Sequence, residues 1–346
     1  MTATKADDDI SVAVVGAGSW GTAFATIPAQ KWVPTVLWAR RSEVAAAIST
    51  RHESPDYLPG VELPDSLTAT ADMEEAVRGA GIVVMAVPSH AFRDVLKEVS
   101  PHVSPDASVV SLTKGLEQSS LQRMTEVMKQ EIDLPPWCFG VLTGPNLARE
   151  VADGHPAAAV AACVDEDLCE SWQRTFMGPM FRVYTNPDVV GCEIGGAIKN
   201  VIAIAAGIAD GMGFGDNSKA ALITRGLAEL ARLGTAMGGK PLTFAGLAGM
   251  GDLVATCTSK LSRNRHVGEE LGKGRKLDDI IAEMNMVAEG VKTAAVAVEL
   301  AARHDVRMPI SEHVAKVLHE DMTPEEALES LMLREAEPEF DEILER

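Results

Sequence analysis

The chain has 346 residues, of which 46% are hydrophobic, 23% charged and 4% aromatic, and its formal net charge at pH 7 is −19. This length exceeds what one hydrophobic core usually supports, so we expect two domains of an ordinary globular protein rather than a disordered chain. So acidic a chain is a poor general ligand for DNA, RNA or anionic lipid, and we expect no nucleic-acid partner.

The cysteines and the N-terminal residues indicate a reducing compartment. Five scattered cysteines without metal-ligand spacing predict free thiols and no metal site. "MTATKADDDI" has acids where a signal peptide would have basic and then apolar residues. The longest apolar run, residues 201–209, is far shorter than the roughly 20 residues that cross a bilayer. We therefore predict a cytoplasmic protein without membrane insertion.

Short apolar runs that predict buried parallel strands recur through the first half of the chain. They lie at residues 11–16, 34–40, 81–88, 107–115, 139–145 and 157–163. Helix-compatible segments separate several of them, which predicts a Rossmann-type, doubly wound, mostly parallel sheet over residues 8–188. Beyond this point the strand-like runs stop and Ala-, Leu- and Gly-rich segments with helical spacing begin. Residues 189–346 are therefore expected to form an all-helical domain.

The first predicted strand ends in "GAGSWG", with Gly16, Gly18 and Gly21 at the spacing of a dinucleotide-binding turn. The first glycine permits a tight turn, the second lets a pyrophosphate approach the backbone, and the third lets helix and strand pack closely. A glycine-rich turn without a ligand is the alternative. Pro28 falls inside the helix that should follow, so we expect this helix to be short or bent.

The second predicted strand ends in "WARR", where an NAD-specific site would carry an acid for the ribose 2′-hydroxyl. Arg40 and Arg41 suit a 2′-phosphate instead. NADP(H) is therefore the favoured cofactor and NAD(H) the alternative, although two arginines at a strand end can also be merely solvated.

Lys199 lies in "GGAIKNVIAIAAG", a helical stretch that is otherwise nearly uncharged. Desolvation lowers the pKa of a buried lysine towards neutrality, where the amine can exchange protons with an alcohol or carbonyl substrate. The alternative is a lysine whose stem is buried and whose amine reaches solvent.

A basic segment interrupts this acidic chain between Lys260 and Lys276, with six Lys/Arg against two glutamates. It follows Asp252 and several hydroxyl residues. Arg263 can bind a phosphate through two hydrogen bonds, and Ser262 and Asn264 add neutral donors, which predicts a pocket for a small phosphorylated polyol. RNA binding is disfavoured because aromatic residues are not interleaved with the basic ones. A "TGPN" turn at 143–146 offers further backbone donors.

The last helix is predicted from "TPEEALESLML", with Thr323 as N-cap, Pro324 in the first turn and Glu326 completing a capping box. Residues 320–346 hold eleven acids and two arginines. A solvated helix with a frayed end explains this tail more simply than a partner-binding segment does.

Several longer segments resemble the NAD(P)-dependent glycerol-3-phosphate dehydrogenases of bacteria. They include "VAVVGAGSWGTAFA", "SLTKGLE", "GPNLAREVADG", "GGAIKNVIAIAAGIADGMGFGDNSKAALITRG", "FAGLAGMGDLVATCTSKLSRNRHVG" and "VAEGVKTA". The resemblance runs from about residue 12 to 310, and residues 195–226 and 244–268 are specific to that family. It implies reversible reduction of dihydroxyacetone phosphate to sn-glycerol 3-phosphate, which feeds phospholipid synthesis. A homodimer is left open.

The resemblance also implies roles for individual residues. The residues implied as catalytic are Lys199, Lys114 and Asp252. The residues implied as substrate-binding are Gly144, Asn146, Thr256, Ser262, Arg263 and Asn264. The residues expected at the cofactor are Gly16, Gly18, Ser19, Trp20, Gly21, Arg40, Arg41, Lys114, Ala148, Arg263, Val287 and Glu289.

The chain departs from this family at "TIPAQKWVP", where members usually show a Leu/Ala run and a Gly-His turn. This puts the length of the first helix in question rather than the reaction. Two other functions remain: a related 3-hydroxyacid or 6-phosphogluconate dehydrogenase, and a nucleotide-sensing regulator without catalysis. The regulator is disfavoured because Lys199, Asp252 and Arg263 are all present.

Overall fold

The structure is a computed structural model that describes residues 10–284, 288–335 and 338–339. The chain divides into two compact units. The first contains Met1–Thr113 and Met124–Val189, and the second contains Lys114–Arg123 and Val190–Arg346. The domain boundaries expected from the sequence put residues 114–123 in the first domain, whereas their contacts group them with the second unit.

The first unit is built on an eight-stranded sheet with a separate two-stranded hairpin. The strands are β1 (Val12–Val15), β2 (Thr35–Trp38), β3 (Glu53–Ser54), β4 (Leu58–Glu62), β5 (Leu67–Thr70), β6 (Ile82–Met85), β7 (Ser108–Ser111), β8 (Phe139–Thr143), β9 (Ala157–Ala162) and β10 (Phe181–Asn186). The large sheet has the order β10-β9-β8-β7-β6-β1-β2-β5, and β3 pairs with β4. Neighbours in the large sheet run parallel except β8 and β9, which are antiparallel.

Helices accompany these strands and connect them. The first unit contains α1 (Ser19–Gln30), α2 (Ser42–Arg51), α3 (Met73–Val77), α4 (Phe92–Val99), α5 (Met124–Glu131), α6 (Ala148–Ala152) and α7 (Glu166–Phe176). Side chains alternate across β1: Val12 and Val14 join one buried cluster, and Ala13 and Val15 join another. The sheet is therefore buried on both faces, as parallel sheets with helical crossovers are. The doubly wound, mostly parallel sheet is confirmed.

Helix α1 is longer than its proline suggested. It runs for 12 residues and ends at Gln30, two residues beyond Pro28. A proline near the end of a helix removes one hydrogen bond from the last turn rather than from the interior, so its cost is limited. The helix expected to be short or bent is thus not cut short at Pro28.

The second unit is helical in its described residues. Its helices are α8 (Val189–Gly211), α9 (Asp216–Ala236), α10 (Pro241–Phe244), α11 (Asp252–Thr258), α12 (Arg263–Gly272), α13 (Leu277–Glu283), α14 (Glu289–Arg303), α15 (Pro309–His319) and α16 (Pro324–Met332). Helix α8 is long and apolar enough to span a bilayer by composition, but 94% of its most apolar stretch is buried inside the protein. This burial is typical of the core helix of a folded domain.

Helices α8 and α12 approach each other through glycines. A Cβ at Gly207 of α8 would lie 2.0 Å from the carbonyl oxygen of Arg265, and one at Gly268 of α12 would lie 2.0 Å from that of Ile204. Neither distance is sterically possible, so the two backbones touch only because both positions lack a side chain.

Helix α16 begins as predicted. The Thr323 hydroxyl accepts from the backbone N–H of Glu326, whose side chain accepts from the backbone N–H of Thr323. Pro324 occupies the first turn. The predicted capping box is confirmed.

Candidate active site

Lys199, Asp252 and Lys114 meet in one buried cluster of the second unit. The Lys199 amine donates to Asp252 Oδ1 at 2.6 Å and to Thr256 Oγ1 at 2.6 Å. The Lys114 amine donates to the other oxygen of the same carboxylate at 2.7 Å. The side chains of Lys199 and Asp252 are 6% and 2% exposed, so one buried carboxylate holds two ammonium groups away from bulk water.

A distortion of the backbone places Asp252. The π-helical segment Leu247–Gly251 precedes it, and Asp252 opens α11 directly afterwards. Such segments are rare and are frequent at functional sites. Thr256 follows one turn later and its hydroxyl donates to the Asp252 carbonyl at 2.6 Å, so both oxygen groups lie on one face of the helix.

The pKa of Lys199 is lowered to about 8, chiefly by burial and in part by the charge of Lys114, while the Asp252 carboxylate opposes both effects. The amine is therefore held near the point where it can both give and take a proton at physiological pH. The neighbouring Cys257 behaves differently, because burial raises the pKa of its thiol to about 12. That thiol stays neutral, so we expect Cys257 to be unreactive.

Polar side chains connect α8 to α12. Asn200, next to Lys199, donates to the Lys114 carbonyl at 3.3 Å. Its amide oxygen accepts from Asn264 at 2.9 Å, and Asn264 in turn accepts from the backbone N–H of Gly290 at 2.9 Å. Ser262 is the N-cap of α12 and accepts from the backbone N–H of Arg265 at 3.2 Å. Ser262 and Asn264, two of the predicted substrate residues, are thus held in place by hydrogen bonds within the protein.

The basic segment is partly neutralised by local acids. Arg265 is buried and lies 2.6 Å from Asp210 and 3.0 Å from Glu269. Lys273 contacts Glu269 and Glu270, and Arg275 contacts Glu270 and Glu283. Three of the six cations are therefore neutralised within the protein.

Arg263 stands apart from these pairs at the first position of α12. Its side chain has solvent-accessible surface, yet protein atoms crowd it, and this loss of hydration lowers its pKa while Glu289 opposes the effect. A guanidinium remains charged under such a shift. The Arg263 charge can therefore meet a phosphate beside the N-terminal backbone N–H groups of α12.

The glycine turn of the first unit fits a dinucleotide. Gly16 has a φ of +118°, and a Cβ at Gly21 would lie 1.9 Å from the Gly16 carbonyl oxygen, so both positions need glycine to close the turn. A Cβ at Gly18 would meet nothing within 4 Å. Gly18 is also the N-cap of α1 and supplies no side-chain cap. Open space beside uncapped N–H groups at a helix N-terminus is what a pyrophosphate requires.

Other predicted cofactor residues lie around this turn. Ser19 donates to the Tyr57 carbonyl at 3.0 Å. Trp20 Nε1 is buried without a hydrogen-bond partner among the described residues. Ala148 begins α6. Arg40 is exposed just past the end of β2. Arg41 forms an ion pair with Asp56, so its charge is partly used within the protein.

The remaining predicted site residues are Gly144, Asn146, Glu289 and Val287. Gly144 follows β8 with a φ of +133°, and the Asn146 amide, oriented so that its nitrogen donates, lies 3.1 Å from the Ala158 carbonyl. Glu289 is the first residue of α14. Val287 lies outside the described residues.

Sequence reasoning missed a buried ion pair of the second unit. Arg123 lies 2.5 Å from Glu193 on α8, and their side chains are 13% and 3% exposed. The available signal was Glu193 itself, because it is a second charge in the same apolar helix that drew attention to Lys199.

A separate cavity of about 790 Å³ lies among α8, α9, α15 and α16, and it is lined mainly by apolar side chains. None of the residues of the lysine cluster lines it. Its buried acid, Glu229, accepts from the backbone N–H groups of Ile310 and Ser311 and so caps α15. Burial raises the pKa of Glu229 to about 7. This carboxylate therefore serves the fold.

Two protein-family models match the chain, one in its N-terminal part and one in its C-terminal part. The family model of the NAD-dependent glycerol-3-phosphate dehydrogenase N-terminus matches residues 11–169, and that of its C-terminus matches residues 188–329. The glycerol-3-phosphate dehydrogenase (NAD(P)+) of Streptomyces griseus is 53% identical over 330 residues, which are 95% of this chain and 98% of that protein. The protein of the same name from Thermobifida fusca is 54% identical over 329 residues, again 95% and 98% of the two chains.

The crystal structure of glycerol-3-phosphate dehydrogenase from Coxiella burnetii superimposes with a TM-score of 0.89 at 37% identity, over 94% of this chain and 99% of that chain. Both halves of the chain and its fold thus match one family of oxidoreductases. This chain belongs to the NAD-dependent glycerol-3-phosphate dehydrogenase family.

Proposed function

We propose that this chain is an NAD(P)-dependent glycerol-3-phosphate dehydrogenase that interconverts dihydroxyacetone phosphate and sn-glycerol 3-phosphate. The observation that carries the proposal is the buried Lys199 amine, bonded to Asp252 and Thr256 in the unit that also presents Arg263. A buried ammonium with a pKa of about 8 is suited to proton transfer at a substrate oxygen.

Lys199 is the proposed acid and base at the C2 oxygen. In the direction of reduction its ammonium donates a proton to the carbonyl oxygen as that oxygen becomes a hydroxyl. In the direction of oxidation the neutral amine removes the hydroxyl proton. When bound, the nicotinamide cofactor supplies or accepts the hydride that completes each direction.

Lys114 and Asp252 are the proposed catalytic partners of Lys199. The Lys114 ammonium stabilises negative charge that develops on the same oxygen, and it does so without reorganisation because Asp252 already fixes its position. Asp252 orients both amines through its two oxygens. Thr256 is proposed to bind the substrate hydroxyl, since its own hydroxyl already lies within hydrogen-bond distance of the Lys199 amine.

Arg263 is the proposed ligand of the substrate phosphate. A guanidinium binds phosphate oxygens through two parallel hydrogen bonds, and the first-turn N–H groups of α12 add to the attraction. Ser262 and Asn264 are proposed to contact the same substrate through donor or acceptor sites that their bonds within the protein do not use. Gly144 and Asn146 are also proposed substrate-binding residues.

NADP(H) is the proposed preferred cofactor, with NAD(H) as the alternative. The support is Arg40, a cation that stands exposed at the end of β2, where an NAD-specific site would carry an acid. The residues proposed to hold the cofactor are Gly16, Gly18, Ser19, Trp20, Gly21, Arg40, Arg41, Lys114, Ala148, Arg263, Val287 and Glu289.

The roles of the two domains, the cellular location and the assembly are also proposals. Residues 8–188 are assigned to cofactor binding and residues 189–346 to substrate binding and catalysis, with Lys114 contributed from residues 114–123. We propose a cytoplasmic enzyme without membrane insertion, since the one long apolar helix among the described residues is a buried core helix. No nucleic acid is expected to bind at a net charge of −19, and a homodimer is the proposed assembly.

The test is the oxidation of NADPH followed by its absorbance after addition of dihydroxyacetone phosphate. Rapid oxidation that depends on this ketone supports the proposal, and Lys199→Ala is expected to lose several orders of magnitude in kcat. Oxidation that instead requires a 3-oxoacid, or reduction of NADP⁺ that requires 6-phosphogluconate, supports a related dehydrogenase. Cofactor binding without turnover of any of these substrates supports a regulator.

A further inference from the structure

Residues 114–123 form a short looped segment, which we call the lysine clip. Leu116 and Arg123 pair through an antiparallel bridge, the Glu117 N–H donates to the Gln122 carbonyl, and the Leu121 N–H donates to the Glu117 carbonyl. These bonds close the segment on itself. Anchoring Arg123 therefore also anchors Leu116, two residues from Lys114.

The clip is fastened to α8 at both ends. At its start the Lys114 carbonyl accepts from Asn200, and at its end Arg123 pairs with Glu193 at 2.5 Å. Glu193 and Asn200 are seven residues apart, which is about two helical turns, so they lie on the same face of α8. Between the two fastenings, Leu116 and Leu121 join the buried cluster that contains Ile194, Ala197 and Ile198 of that helix.

We infer that the Arg123–Glu193 ion pair is a positioning device for catalysis, which holds the Lys114 ammonium on the Asp252 carboxylate beside Lys199. The inference rests on the proposed function, because it assigns the pair a purpose in that reaction. Arg123 and Glu193 are assigned as positioning residues rather than catalytic ones. They act through the backbone of the clip.

The buried setting makes this pair suitable for the task. An exposed ion pair is screened by water and gives little fixed geometry, whereas this pair is almost excluded from solvent. A buried pair also has a strong preference for staying formed, because separating it leaves a charge without compensation. The pair therefore favours the fastened arrangement of the clip.

The test uses four variants of the full-length protein, and a fifth that combines the first and third, in the oxidation of glycerol 3-phosphate. Arg123→Met/Glu193→Gln removes the pair without leaving a buried charge. Arg123→Glu/Glu193→Arg restores it with the charges exchanged. Lys114→Met removes the amine that the clip positions. Arg93→Met is the matched control, because Arg93 forms a partly buried ion pair with Glu131 in the first unit.

The neutral pair variant is expected to lower kcat by about 10- to 100-fold, since small displacements of a catalytic group cost this much. The exchanged pair is expected to recover most of that loss. In the Lys114→Met background the neutral pair variant should cause no further loss, because the pair acts only through Lys114. Arg93→Met should leave kcat unchanged.

The pH profile gives a readout that a purely structural role would not move. The titratable groups beside the Lys199 amine are Asp252, Lys114 and Cys257, whose thiol stays neutral. The Lys114 charge lowers the pKa of Lys199, so release of the clip raises it. Oxidation needs neutral Lys199. The pH below which kcat falls should therefore be higher in the neutral pair variant than in the wild type. The same shift is expected in Lys114→Met.

Equal losses of kcat with and without Lys114, or no shift in the pH below which kcat falls, would overturn the positioning role and leave Arg123 and Glu193 as structural residues. An inactive wild-type protein with glycerol 3-phosphate would instead refute the proposed function. The two failures are thus distinguishable in the same set of assays.

Discussion

Replacing Lys199 with methionine is expected to stop catalysis and to stabilise the protein at neutral pH. Burial lowers the pKa of this amine from the ordinary value of 10.5 to about 8. Below pH 8 the folded protein must therefore keep a charge that its surroundings disfavour. Methionine has a similar length and no charge. Asp252 retains Lys114 as a partner at 2.7 Å in the variant, so no carboxylate is left uncompensated.

The magnitude follows from linkage between protonation and folding. A difference between 10.5 and about 8, at 1.36 kcal/mol for each pKa unit, corresponds to about 3 kcal/mol. Between these two pH values the unfolded chain binds the proton and the folded chain does not, so the stability of the wild type rises with pH. The variant lacks this contribution. Its advantage of about 3 kcal/mol below pH 8 should therefore disappear as the pH approaches 10.5.

The assay is urea unfolding of both proteins at several pH values from 7 to 10, followed by circular dichroism. Only the difference between the two proteins matters, because other lysines and tyrosines also titrate in this range. Lys97→Met is the control, since Lys97 is exposed and lies 3.9 Å from Asp94. A difference between wild type and Lys199→Met that stays constant across this range would refute the lowered pKa, and with it the proposed acid and base.

Further predictions concern the substrate and the cofactor. Arg263→Met should raise KM for dihydroxyacetone phosphate by about 10- to 100-fold and change kcat much less, as initial rates over a range of substrate concentrations will show. Arg40→Ser should lower kcat/KM with NADPH by about tenfold while leaving that with NADH within about twofold, because only NADPH carries the 2′-phosphate; equal losses would contradict the assignment. Gly18→Ala should fold normally yet bind cofactor weakly, because its Cβ points into open space, whereas Gly21→Ala should lower the thermal unfolding temperature itself. Calorimetry and cofactor titration of both alanine variants separate these outcomes.

The six strands predicted from apolar runs are all present, because a strand buried on both faces has a continuous apolar sequence. The strands that were missed lack this property. β4 has the sequence "LPGVE", with a proline and a glycine inside, and β5 ("LTAT") and β10 ("FRVYTN") are partly polar. β5 and β10 are the two edges of the sheet, where polar side chains are tolerated.

The site was predictable where a charge stood out against an apolar stretch. Lys199 was identified in this way, and the structure places it with Asp252 and Thr256. The ion pairs of the basic segment could not be predicted, because its acids are partly distant in sequence. Asp210 neutralises Arg265 from 55 residues away along the chain, a relation that a sequence pattern does not reveal.

The contact of α8 with α12 at Gly207 and Gly268 has a consequence for substrate choice. Lys199 lies on the first helix and Arg263 at the start of the second, so main-chain atoms in van der Waals contact govern the span between the proposed proton donor and the proposed phosphate ligand. The rotamers of Lys199 and Arg263 can adjust that span, but the separation of the two helix backbones is fixed. A larger side chain at either glycine should push the helices apart, so redesign for longer phosphorylated ketones would begin at these two positions.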